Sequence, residues 1–130
     1  MAGSFTDYLE DKILKHVFTN TAYTSPTTVY VGLFTVAPTD VGGGTEVSGS
    51  GYTRKSAAFT VSGTTTLATN SAAIEFDAAT GSWGTIVAIA VFDASTSGNM
   101  LAFADLTTSK TIATGDVLRI PAGDLDITLS

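Results

Sequence analysis

From Pro26 onward, apolar residues recur at every second position in short runs, and a turn signal closes nearly every run within about ten residues. Thr28–Thr35 reads as a strand, with Val29, Val31 and Leu33 on one face and Tyr30 and Phe34 on the other. Further strands are expected at Arg54–Val61, Thr64–Asn70, Ala72–Phe76, Thr85–Phe92, Met100–Leu106, Lys110–Ala113, Val117–Ile120 and Leu125–Leu129. Turns fall at Ser62-Gly63, Gly81-Ser82, Gly98-Asn99, Gly115-Asp116 and Gly123-Asp124. Thr85–Phe92 is apolar on both faces, as a central strand is. Roughly eight short strands with no helix between the later ones predict a mainly β fold, an antiparallel β-sandwich of Greek-key or jelly-roll type. Parallel βαβ winding is excluded, because it needs a helical crossover between strands.

One helix precedes the strands, expected over residues 4–18. Ser4 is placed to cap it, with Asp7 three residues on. Phe5, Leu9, Ile13 and Val17 recur every four residues, and Tyr8, Leu14 and Phe18 widen the stripe. Asp7, Glu10 and Asp11 come before Lys12, Lys15 and His16, an order that complements the helix dipole. Asn20 and the Ser25-Pro26 step end it. This stripe must be covered by the chain's own sheet or by a neighbouring subunit. The expected organisation is one domain over 1–130, with the sandwich at 28–129 and a glycine-rich loop at 40–52.

Composition narrows the functions available. Hydrophobic residues make up 44% and charged residues 14% of the 130-residue chain, which excludes general disorder. The net charge is −6, and the six cations are scattered, so nucleic acid is not an expected partner. There is no cysteine, hence neither disulfide nor thiolate chemistry. The first residues show no basic segment leading into an apolar one, so no secretory signal is expected. Thr85–Phe92 is too short to span a bilayer, and no membrane association is expected.

The stretch Asp40–Lys55, DVGGGTEVSGSGYTRK, lacks the lysine of a phosphate loop, places Glu46 where phosphate would sit, and leads into a strand. It is expected to be an extended loop whose glycines, Gly43 among them, form an arm that orders on a neighbouring subunit. Tyr52, Arg54 and Lys55 would anchor that arm at its base. His16, the sole histidine, has no companion ligands for zinc and no evident nucleophile beside it. Glu75 and Asp77 could share a strand face, as acid–base pairs on sugars do, but a solvated turn explains them as well. Asp93–Asn99 faintly resembles a calcium loop, with Ser95 and Ser97 in place of acids and no closing glutamate. Asp116, Asp124 and Asp126 fit turn chemistry better than weak cation binding. Trp83 could stack on a sugar, anchor an interface or plug the sandwich. No nucleophile, base and oxyanion site come together, so no enzyme, cofactor or metal is expected. The subunit-contact candidates are Phe5, Leu9, Ile13, Val17, Gly43, Glu46, Tyr52, Arg54 and Trp83.

Several blocks carry a resemblance: FTDYLEDKILKHVF, VYVGLFTVAPTD, GGGTEVSGSGYTRK, AAIEFDAATGSWGTIVAIAVFDASTSGNMLAFADLTTSKTI and GDVLRIPAGDLDITL. In this order, and nearly end to end, the chain resembles a family of small bacteriophage virion proteins labelled virion structural protein or phage tail fibre protein. The resemblance implies a virion protein made in the bacterial host cytoplasm, with a role in assembly and no catalytic residues to transfer. The chain has none of the repeats of a fibre shaft. A compact sandwich with an amphipathic helix is therefore expected to be a capsid cement or decoration protein, binding the major capsid protein and its own copies. A tail fibre, tail-tip or baseplate subunit is the alternative, and a host-glycan-binding module is a third reading.

Overall fold

In the computed structural model, residues 2–62 and 66–128 are described. The fold is mainly β, with one N-terminal helix and eleven strands among those residues. They are β1 (Ala2–Phe5), α1 (Asp7–Phe18), β2 (Val29–Val36), β3 (Thr45–Glu46), β4 (Lys55–Ala57), β5 (Phe59–Ser62), β6 (Leu67–Asn70), β7 (Ile74–Glu75), β8 (Gly84–Phe92), β9 (Met100–Ile112), β10 (Arg119–Ile120) and β11 (Asp126–Thr128). Nine strands form one sheet in the order β3-β2-β8-β9-β1-β11-β6-β5, with β4 also on β2; β7 and β10 pair separately.

The expected strand Arg54–Val61 is bent. Its first part, β4, pairs antiparallel with β2, and its second part, β5, pairs with β6 at the far end of the strand order. One short segment, turning at Ala58, thus joins both edges of the sheet and closes it. Strands that switch partners at a corner are how sandwiches and barrels remove exposed edges. The inward faces meet in one core. Val31 and Leu33 of β2, Ile89 and Val91 of β8, Ala102 and Ala104 of β9 and Ile127 of β11 pack with Ile74, Phe76, Trp83, Leu118, Ile120 and Leu125. As its composition suggests, β8 is central: Ile89 and Val91 enter this core, while Ala88, Ala90 and Phe92 join Phe34 in a second cluster on the other face.

Three departures from the sequence reading have physical causes. Ser4 does not cap the helix. Residues 2–5 form β1, because their backbone fills the gap between β9 and β11. Thr6, 2% exposed, is the cap: its Oγ1 accepts from Leu9 N and donates to Met100 O at 2.7 Å. The β1–β11 pair is parallel, with the whole chain as its connection, so no βαβ unit is involved. Finally, Met100–Leu106 and Lys110–Ala113 are one strand, β9. It pairs Lys110 with Ile86 and Asp105 with Ala88, so Leu106–Ser109 bulge opposite the single residue Val87. The expected Ser62-Gly63 turn, the start of Thr64–Asn70 and Leu129 fall wholly or partly outside the described residues.

Asn70 ties the β6 end to the last turn. It is 1% exposed; its Oδ1 accepts from Leu125 N, and its Nδ2 donates to Ala72 O and Pro121 O, all at 2.9 Å. Asn70→Ala leaves these buried backbone groups without partners. Urea denaturation should show a loss of about 2–3 kcal/mol.

Candidate subunit-contact surfaces

The sequence-derived candidates divide into a group turned inward, a group on the helix, Phe5 on β1 and Gly43 at a loop tip. Glu46, Tyr52, Arg54 and Trp83 are brought together beside β2. The Glu46 carboxylate accepts from Arg54 Nε and Nη2 at 2.8 Å each and from Tyr52 Oη at 2.6 Å. Tyr52 Oη in turn accepts from Leu33 N at 2.9 Å. The Tyr52 ring stacks on Phe76, and Trp83 meets it edge to face at 5.5 Å. Trp83 is 5% exposed and donates from Nε1 to Ser50 O.

Gly32 makes room for this group. A Cβ there would lie 2.6 Å from Glu46 Oε2 and 3.0 Å from Tyr52 Oη. A glycine inside a strand signals such close approach, and that signal in VYVGLF was available in the sequence.

Arg54 has a further task. Its Nη1 donates to Ala94 O at 3.0 Å and Ser97 O at 2.8 Å, and its guanidinium lies 3.5 Å from the Phe92 ring centroid. The 93–99 loop, whose pattern faintly suggested calcium, offers these carbonyls to an internal cation of the protein itself. Asp93 closes the same loop by accepting from Asn99 N and Nδ2.

The glycine-rich stretch is correspondingly no free arm. Thr39 and Gly42 exchange backbone hydrogen bonds, β3 pairs with β2, Val47 is buried, and Ser50 O accepts from Thr80 N as well as Trp83. Gly43 sits in open space at the tip, whereas a Cβ at Gly44 would strike Val36 O at 2.6 Å.

The remaining acids and His16 are dispersed. Asp77 pairs with Lys55 at 3.0 Å and Glu75 loosely with Arg119 at 3.8 Å, so the two carboxylates serve different cations. Asp116 accepts from Ala113 N in a turn. His16 Nδ1 accepts from Tyr23 N.

The helix candidates behave differently. α1 packs on β1 and β9, with Leu9 and Ile13 half-buried and Phe5 set against the main core. No helix residue is fully buried. Its C-terminal turn is bare: Leu14 is 57%, Val17 62% and Phe18 78% exposed. The helix therefore packs on its own sheet along its first half and leaves apolar surface on its second. Leu14 and Phe18, read only as widening the stripe, form this surface with Val17.

Burial pushes the Glu46 carboxyl up, but hydrogen bonds from Arg54 and Tyr52 and the Arg54 charge outweigh it and hold the group below its usual range. Burial, followed by the Glu46 hydrogen bond, raises the Tyr52 phenol. Because Glu46 is more acidic when folded, its stabilisation is complete above about pH 4.5 and is lost as pH falls through the lowered folded value. Urea midpoints between pH 7 and pH 3 should fall in that range for the wild type and less for Glu46→Gln. Arg54→Lys loses the two-pronged contact and should cost about 3 kcal/mol at pH 7.

No curated protein matches the chain by sequence. A family does, over residues 4–128, which includes the helix, the Glu46–Arg54 junction and every strand after β1. On that match the chain belongs to the family of the podophage GP4 fiber I protein gp80.

Proposed function

We propose that the chain is a non-enzymatic structural subunit of a phage fibre, folded as one unit, that binds neighbouring virion subunits through the exposed C-terminal turn of α1. The observation carrying this reading is the apolar surface of Leu14, Val17 and Phe18 on a helix otherwise seated on its own sheet. Clustered apolar exposure of this kind marks contact sites more often than scattered exposure does. The clamp residues are in keeping with a structural role, since Glu46, Tyr52 and Arg54 bond mainly to one another and to backbone groups.

Capsid cement was the first expectation from sequence, and the family's description favours the fibre alternative. A glycan-binding reading has less support, because the Trp83 indole faces the core and offers no stacking platform. Copies of the chain and other virion proteins are the partners, met after synthesis in the host cytoplasm.

The triple variant Leu14→Ser, Val17→Ser, Phe18→Ser changes only exposed positions. Its stability should stay within about 0.5 kcal/mol of wild type. Immunoblots of purified particles should show it absent or strongly depleted, and gold labelling of wild-type particles should mark fibres. Normal incorporation of the variant would overturn the helix contact, and labelling spread over the capsid shell would restore the cement reading.

A further inference from the structure

The bulge in β9 opens a cleft of about 370 Å³ that α1 does not reach. Leu106, Leu118, Ile120 and Pro121 give it an apolar lining, and Lys110 and Arg119 stand at it with one acid, Asp124. Val117, next to Leu118, is 49% exposed.

These two cations are the loosely held ones. Lys15, Arg54 and Lys55 are each within 3.0 Å of a carboxylate, and Lys12 lies over the Tyr8 ring. Arg119 is 3.8 Å from Glu75, and Lys110 makes no ion pair among the described residues. A chain of net charge −6 thus gathers its available positive charge at one apolar cleft.

The exposed face of α1 has the opposite character. Asp7, Glu10, Leu14, Val17 and Phe18 follow one another at helical spacing on a single stripe, acidic in the first turn and apolar in the last. The stripe is a poor partner for a copy of itself: its only charges are acids, and Lys15 beside it is already paired with Asp11. Its complement on this molecule is the cleft.

The two surfaces are also displaced along β9. The helix is tied on at Met100 and Leu101, and the cleft begins at Leu106, five residues on, or about 16 Å at strand rise.

We propose that the outward stripe of α1 docks in the Lys110–Arg119 cleft of a second copy of this chain, making a head-to-tail contact. Asp7 and Glu10 face Lys110 and Arg119, and Leu14, Val17 and Phe18 cover Leu106, Val117 and Pro121. Two different patches meet, so the contact propagates from copy to copy and forms a ring or a filament instead of closing as a two-fold dimer. This inference rests on the helix contact proposed above and names its partner.

The chain has no cysteine, so introduced ones report the contact cleanly. Phe18→Cys and Thr108→Cys proteins, mixed at high concentration and mildly oxidised, should form a disulfide-linked pair. Neither protein alone should do so, nor should Phe18→Cys mixed with Ser95→Cys. A dimer of Phe18→Cys alone would overturn the proposal in favour of a two-fold helix pair. No bond above the Ser95 control in the mixture would overturn it as well.

Independently, Lys110→Glu with Arg119→Glu should weaken self-association in sedimentation equilibrium by about tenfold, and adding Asp7→Lys with Glu10→Lys should restore it. Circular dichroism checks that each variant is folded. An unchanged association constant, or no rescue, sinks the charge pairing. If these tests fail while the triple helix variant is still lost from particles, the helix binds another virion protein, and the fibre-subunit role survives without the head-to-tail contact.

Discussion

The bend at Ala58 is the constraint on which the rest of the structure depends. Because β4 bonds to β2 and β5 to β6, a few residues hold together strands that stand at opposite ends of the order. Without that link the sheet would have two open edges, and residues 56–74 contain no charged side chain to protect one of them. Closure turns the alternating strands inward on one core, so that even partly buried residues such as Ala57, Phe59 and Ala68 pack against it. Asn70 then fixes the last turn to the β6 end of this closed wall.

Arg54 stands just before the bend and determines how the neighbouring loops lie. Its side chain is 8% exposed, so its charge must be matched within the protein. Glu46 supplies the matching charge from the glycine-rich stretch, and Ala94 and Ser97 supply carbonyls from the 93–99 loop. One guanidinium thereby fastens two loops to β8 through Phe92. A buried pair of this kind adds little net stability over an apolar replacement, since desolvation offsets much of its attraction, but removing one partner is costly. A lysine could not replace it: the planar fork that meets both Glu46 oxygens also leaves Nη1 free for the carbonyls.

Much of this was legible in the sequence, and the misses share a cause. Period-two runs and glycine turns located β2, β8 and the later strands, because burial of one face imposes that alternation. Ser4 and Phe5 were misread as the start of the helix, and the strand at 2–5 was missed, because its pairing depends on β9 and β11, about a hundred residues away, while Ser4 and Asp7 make a plausible local cap. The bend at Ala58 left no local signal either. For the contact residues, the sequence suggested Glu46, Tyr52 and Arg54 as outward-facing candidates, whereas the structure joins them in one inward clamp. Aromatic and arginine residues beside glycines have the composition of an interface hot spot, and equally that of an internal clamp. Gly32 held the distinguishing information, since a strand glycine implies something seated against the backbone.

With the clamp turned inward, charge limits where copies of the chain can touch. A net charge of −6 on a small domain makes random encounters between copies repulsive despite the bare helix turn. Leu14, Val17 and Phe18 can therefore be exposed without indiscriminate association. The proposed head-to-tail contact relies on locally available positive charge, and Lys15, Arg54 and Lys55 are already ion-paired within the chain. The bulge in β9 brings Lys110 and Arg119 to one cleft, lined also by Leu106, Pro121 and the buried Leu118 and Ile120. The same irregularity that departs from regular strand pairing thus forms the cleft into which the helix stripe is proposed to dock. Three extra residues opposite Val87 would otherwise only weaken the sheet, and the proposed contact gives a physical reason to keep them.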